Sequence, residues 1–218
     1  MISAVIPAYN AELFLADAIQ SAIAQSGLSE VIVVDDGSTD KTPEIAQSFP
    51  EVRLIHQEHL GLSAARNRGA RESQSKYLTF LDADDIWVPG KTRAQAEVLD
   101  ATTTDMIFGN VAQFRVREGK TVFEGEPIAA KLAGCMMIRR SSWDKTPGFS
   151  SEWRVGEFID WYLKATEAGL TSKTLSTTLL FRRLHENNMG SSGFGRADYV
   201  TIVKKSLDRR RATSHSKE

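Results

Sequence analysis

The chain has 218 residues, 41% hydrophobic and 25% charged, an ordinary globular composition with room for one large domain or two small ones. Its 27 basic and 28 acidic residues nearly cancel, which argues against a nucleic-acid-binding protein. A single cysteine, Cys135 in the apolar run GCMMI, excludes an intramolecular disulfide and reads as a small buried hydrophobe.

The chain opens on SAVIPAYN, a short β-rich run ended by Pro7. A helical pattern follows, with Leu15, Ile19, Ala22 and Ile23 on one face. EVIVVDDGSTD is a near-continuous apolar strand running into acidic and turn residues, the pattern of a parallel strand covered on both faces. A helix over 42–49, a strand over 52–55, a helix over 62–74 and the strand YLTFL complete an alternation that predicts a mainly parallel sheet flanked by helices. The second half is less regular. Residues 105–108, 111–116 and 121–123, CMMIRR and TLLFRRLH are strand candidates, and EFIDWYLKATEAG is a helix with Gly169 after its end. The whole reads as one α/β domain.

Ligands of open parallel sheets bind beyond the carboxyl ends of the strands. Three such ends carry polar chemistry here: Tyr9-Asn10, Asp35-Asp36 with Ser38 and Asp40, and Asp82-Ala83-Asp84-Asp85. Asp40 also suits a helix N-cap. No Gly-x-Gly-x-x-Gly follows the first strand, and PGKT at 89–92 lacks the glycine and the preceding strand of a phosphate loop. In a continuing strand Asp82 and Asp84 would point the same way and face one ion. Hard carboxylates select Mg²⁺ or Mn²⁺, which keep positions open for phosphate oxygens.

The segments VIPAYN, VIVVDDGSTDKT, GLSAARNRG and YLTFLDADD resemble, in order and spacing, the signatures of family 2 glycosyltransferases. AGCMMIRRSSWDKTPGFSSEW, GEFIDWYLKATEAGL and RRLHENNMG are similar to the later ones. The resemblance implies a GT-A type, Rossmann-like fold over residues 1–198, with donor binding in about 1–110 and acceptor binding in about 111–198. It implies inverting transfer from a nucleotide-sugar donor, a UDP-sugar favoured, to a glycan, lipid-linked, peptide or small-molecule acceptor. Pro7, Tyr9 and Asp36 would line the nucleotide pocket, Arg66 would lie beside the nucleotide, and Asp82 near the ribose or metal. Asp84 and His185 match metal-binding positions for Mn²⁺ or Mg²⁺. Arg196, ending a Gly- and Ser-rich loop, could reach the diphosphate, and His56, His59 and His215 match nothing and read as surface residues.

The family's general base usually lies in a Glu-Asp pair opening a helix, where this chain has Glu157-Phe158. Glu157 and Asp160, at i and i+3 and so on roughly one helix face, are the two candidates. The Phe158 departure keeps open a non-catalytic sugar-nucleotide-binding module, and the acidic strand ends keep open a nucleotidyltransferase. Over 199–218, Lys204, Lys205, Arg209, Arg210 and Arg211 cluster around Val200, Val203 and Leu207, which are spaced for one helical face. Such an end can dock on anionic lipid or an acidic partner, or be a solvated final helix with a polar tail. MISAVIPAYN lacks a basic n-region and a cleavage site, so the cytoplasm is the expected location.

Overall fold

The structure, a computed structural model, describes residues 1–186, 188 and 196–215. Its centre is a sheet whose strands lie side by side in the order 52–56, 28–35, 2–8, 77–80, 137–139, 106–117, 172–183 and 86–87, with 120–130 added to 106–117. Strands β1 (Ile2–Ala8), β2 (Leu28–Asp35), β3 (Val52–His56) and β4 (Tyr77–Phe80) pair in parallel. Helices α1 (Leu15–Ile23), α2 (Thr42–Gln47) and α3 (Leu62–Glu72) connect them. Every residue of β1 is buried, as its uninterrupted apolar run requires of a central parallel strand. Pro7 sits in β1 without loss: β4 pairs only as far as Val5, so no neighbour on that side needs the missing N–H. Helix α3 lies close on this sheet, because a Cβ at Gly69 would come 2.3 Å from Val5 Cγ1.

The second half is mixed in direction. Strand β6 (Met106–Arg117) pairs antiparallel to β7 (Lys120–Ala130) and β8 (Met137–Arg139), and parallel to β9 (Ser172–Arg183). The two candidates at 105–108 and 111–116 are thus one strand, with register shifts near Phe108, Asn110 and Val111. The short β5 (Ile86–Trp87) pairs with β9, and α4 (Lys91–Ala101), α5 (Arg140–Trp143), α6 (Glu157–Glu167) and α7 (Arg196–His215) complete the fold.

Two expectations change here. Strand β4 stops at Phe80, and Asp82 to Asp85 form a turn closed by Asp85 N–H donating to the Asp82 carbonyl at 3.1 Å. Asp82 and Asp84 therefore do not alternate along a strand. The basic helix α7 begins at Arg196 rather than at 199. Among the described residues no helix is long and apolar enough to cross a membrane.

The PGKT segment lies inside the protein. Lys91 Nζ is fully buried, donating to Thr79 Oγ1 at 2.7 Å and Gln95 Oε1 at 2.8 Å, with the Trp87 ring 4.2 Å away. A phosphate-binding role is excluded by that burial.

Candidate active site

The carboxyl ends of β1, β2 and β4 open onto a cleft of about 720 Å³ lined by Pro7, Tyr9, Asp36, His59, Asp84 and His185 among others. The loops beneath it are locked to each other. Asn10, in the left-handed region at φ 47°, donates its N–H to Ser38 Oγ and accepts the Thr39 N–H on Oδ1 at 2.9 Å. Asp40 Oδ1 accepts the N–H of Thr42 at 2.9 Å, but Lys41, not Asp40, is the residue that precedes α2, so Asp40 braces the turn before the helix instead of capping it as expected.

Asp36 is buried, and its carboxylate closes the following loop. Oδ1 accepts from Gln57 at 2.6 Å and from Leu60 N–H, and Oδ2 accepts from Gly61 N–H at 2.8 Å. His59 Nδ1 lies 2.9 Å from Oδ2, and the His59 ring stacks on Tyr9 with centroids 4.0 Å apart. His59 is exposed, as expected, and also forms part of the cleft wall. Tyr9 remains 46% exposed, so its ring offers area to a ligand.

Each of the three clustered carboxylates has its own hydrogen-bond partner. Asp82 Oδ1 accepts from Arg66 Nη2 at 2.5 Å, and Glu157 Oε1 accepts from Arg66 Nη1 at 2.6 Å. Arg66 is 3% exposed; burial would lower its pKa, but Asp82 and Glu157 outweigh that and hold it above its usual value. Asp84 Oδ2 lies 2.9 Å from His185 Nε2 and accepts from Asn188 Nδ2 at 3.2 Å. Burial, reinforced by Asp82, pushes the Asp84 carboxyl up, and His185 opposes it. Asp85 is buried, accepts the Arg183 N–H at 2.9 Å, and is pushed well above the ordinary carboxylate range by burial and then by Asp84 and Asp82.

Arg183, not singled out from sequence, holds this turn. Its Nε donates to the Asp84 carbonyl at 3.0 Å, Nη2 donates to Asp17, and the guanidinium lies 4.9 Å from both the Phe14 and Phe114 rings. Its only sequence signal is its place two residues before His185 in RRLH.

A second cleft of about 260 Å³ adjoins the first and is lined by Arg66, Asp82, Phe158, Arg182 and Tyr199 among others. Leu62, Asp84, Arg154 and Glu157 line both. Glu157 opens α6, preceded by Gly156 at φ 92°, where positive φ is natural only for glycine. Asp160 does not join it. It is 1% exposed, lines neither cleft, and Oδ2 accepts from Lys164 Nζ at 2.7 Å, while Oδ1 has no partner among the described residues. One turn of an α-helix does not return a side chain to the same azimuth at i+3, and here that offset carries Asp160 into the core. The Arg196 side chain lies outside the described residues.

Among the described residues no three His, Cys, Asp or Glu side chains form a metal cage. Mg²⁺ and Mn²⁺ do not demand one, since such ions keep waters and bind through one or two protein ligands plus substrate phosphates. Asp84 Oδ2 and His185 Nε2 hydrogen-bond to each other at 2.9 Å; a carboxylate and an imidazole are donor types that suit Mn²⁺, which would take the place of that hydrogen bond. The chemistry of this donor pair fits such an ion.

Comparison with known proteins agrees with this architecture. The family model described as glycosyl transferase family 2 matches residues 3–152. The uncharacterized glycosyltransferase YibD of Escherichia coli K12 is 44% identical over 93 residues, 40% of this chain and 27% of that protein. Escherichia coli chondroitin synthase is 30% identical over 96% of the chain, which spans only 33% of that enzyme. The putative teichuronic acid biosynthesis glycosyltransferase TuaG of Bacillus subtilis is 24% identical over 96% of this chain and 89% of its own. The chain thus spans about a quarter to a third of some relatives and most of another. The crystal structure of Staphylococcus aureus TarS 1-349 with UDP-GlcNAc superposes with a TM-score of 0.74 at 20% identity, covering 88% of this chain and 61% of that one. The family model covers most of the chain and the fold is that of GT-A enzymes: this protein belongs to glycosyltransferase family 2.

Proposed function

We propose that this glycosyltransferase moves a sugar from a nucleoside diphosphate sugar, a UDP-sugar above all, to an acceptor hydroxyl with inversion, assisted by a divalent cation. One observation carries the reading: two clefts of different size meet at Asp84 and Glu157. The larger, walled by Tyr9, His59 and Asp36, is the donor site, and the smaller, built mostly from the second half of the chain, receives the acceptor. The UDP-GlcNAc complex of the structural neighbour TarS supports the donor class.

Asp84 and His185 would hold Mn²⁺ or Mg²⁺, which as a Lewis acid offsets the charge developing on the departing diphosphate. Tyr9 offers a face for the base. Glu157 takes the acceptor's proton as the acceptor oxygen bonds to the anomeric carbon. The bond from that carbon to the diphosphate oxygen breaks, and its electron pair leaves with the nucleotide. Arg66 orients Glu157, and the second carboxylate oxygen is left for the proton.

Calorimetric titration of UDP and UDP-sugars with and without Mn²⁺ tests the donor half. Binding should require metal in the native protein and be lost in Asp84→Asn. Glu157→Gln should keep UDP affinity within a few-fold and lose transfer by about 10² to 10⁴. Metal-indifferent nucleotide binding would refute the cation, and undiminished transfer by Glu157→Gln would refute the base.

A further inference from the structure

Helix α7 carries two different faces. Ile202 and Ser206 are buried at 0% and 3% exposure, and Arg209 on the same side donates to Glu167 of α6 at 2.7 Å. On the other side Val200, Val203 and Leu207 stand 69%, 50% and 47% exposed. At 3.6 residues per turn these three occupy a sector of roughly 60°. Exposed Lys204 and Arg211 flank that sector on one side, and exposed Arg210, whose Nε lies 3.7 Å from Glu167 Oε1, flanks it on the other. The helix holds six basic and two acidic residues in a chain whose overall formal charge is −1, and one of those acids, Asp208, lies beside Arg211.

An aliphatic stripe flanked by cations on both sides matches the surface of an anionic bilayer, with apolar side chains among the acyl chains and ammonium and guanidinium groups on lipid phosphates. Protein partners are more often held by aromatic anchors seated in pockets, and the stripe has no aromatic residue at its centre. We infer that α7 docks this protein on anionic lipid through Val200, Val203 and Leu207.

The same helix borders the active site. Tyr199, four residues before Val203 and so next to it on the helix surface, lines the smaller cleft. Gly156, immediately before Glu157, packs against Ile202 and Tyr199. Trp153 of the larger cleft stacks under Lys205 Nζ at 4.7 Å, and Lys205 also pairs with Glu152. Docking therefore sets the acceptor cleft beside the bilayer, and the acceptor class is a hydroxyl borne on a membrane lipid. This second statement rests on the transferase reading; the docking does not.

Co-sedimentation of the full chain with phosphatidylcholine vesicles, with and without phosphatidylglycerol, tests the docking. The native protein should pellet with the anionic vesicles alone, less so as salt rises. Val203→Asp/Leu207→Asp should lower partitioning by about tenfold or more, and Lys204→Glu by less, with circular dichroism and UDP affinity unchanged. Absence of pelleting at low salt, or equal pelleting by the double variant, would overturn the proposal. So would a dimer in sedimentation velocity that the same double variant dissociates, because a second copy would then cover the stripe. Equal turnover of a vesicle-borne and a water-soluble acceptor would remove the acceptor assignment while leaving the docking. A chain that pellets but binds no sugar nucleotide would keep the docking and defeat the transferase reading.

Discussion

Arg66 Nη1 lies 2.6 Å from Glu157 Oε1, joining the middle of α3 to the first residue of α6 across the floor where the two clefts meet. The other terminal nitrogen reaches Asp82, so one buried guanidinium sets the position of two carboxylates from distant parts of the chain.

Arg66→Lys keeps the charge but cannot hold two carboxylates in a fixed fork. Turnover should fall about 10²-fold through misplacement of Glu157, with UDP affinity little changed. Arg66→Met leaves both carboxylates without their cation and should cost about 3 kcal/mol in urea unfolding. Native-like turnover in Arg66→Lys would show that Glu157 needs no such positioning.

Asp160 should be dispensable for chemistry. Asp160→Asn keeps its shape beside Lys164 while removing the charge, and transfer should stay within about threefold of native. A loss as deep as that of Glu157→Gln would return Asp160 to the reaction.

The Tyr9–His59 stack should bear on nucleotide affinity. Tyr9→Ala removes a ring face worth about 1–3 kcal/mol to a stacked base, so the Kd for UDP should rise about tenfold or more, and Tyr9→Phe should leave it nearly unchanged. Equal weakening by both variants would mean that the hydroxyl, not the ring, makes the contact.

Lys91 makes stability depend on pH. Burial lowers its pKa from an ordinary 10.5 to about 7. Between those values the unfolded chain holds a proton that the folded chain has released, so stability rises with pH, by up to about 1.4 kcal/mol per unit, and this contribution is flat below about pH 7. Cys135, whose thiol burial pushes up, acts in the opposite sense at higher pH. Urea midpoints should therefore climb from about pH 7 to pH 8.5 in the native protein more than in Lys91→Met. Parallel profiles would mean that the ammonium keeps its ordinary pKa in the core.

Gly156→Ala should couple stability to catalysis. The residue sits at φ 92°, and an added Cβ would lie 2.8 Å from Ile202 Cδ1 and 3.0 Å from the Tyr199 ring. A destabilisation of about 1–3 kcal/mol is expected, with lower kcat because Glu157 follows directly. An unchanged melting temperature would show that α7 yields to the methyl group at no cost.

The amino-acid sequence by itself determined the parallel first half. Uninterrupted apolar runs such as AVI and VIVV can be satisfied only by burial on both faces, and helical periodicity between them leaves few alternatives. It also determined that acidic strand ends gather at one edge, while only the resemblance to the family's motifs implied that Asp84 and His185 belong to one site. Local pattern could not show that β4 would stop before Asp82, that 106–117 would be one strand, or that PGKT would be buried. Those outcomes depend on which strand lies alongside. Only the tertiary structure separated Glu157 from Asp160, equal candidates by spacing, because the sheet and α3 decide which side of α6 is core and where a buried arginine can reach. Likewise only the packing of α7 on α6 assigned Ile202 inward and left Val200, Val203 and Leu207 facing out. Burial is a property of the neighbours a residue acquires, and residues 66 and 157, or 156 and 202, become neighbours only once the chain has folded.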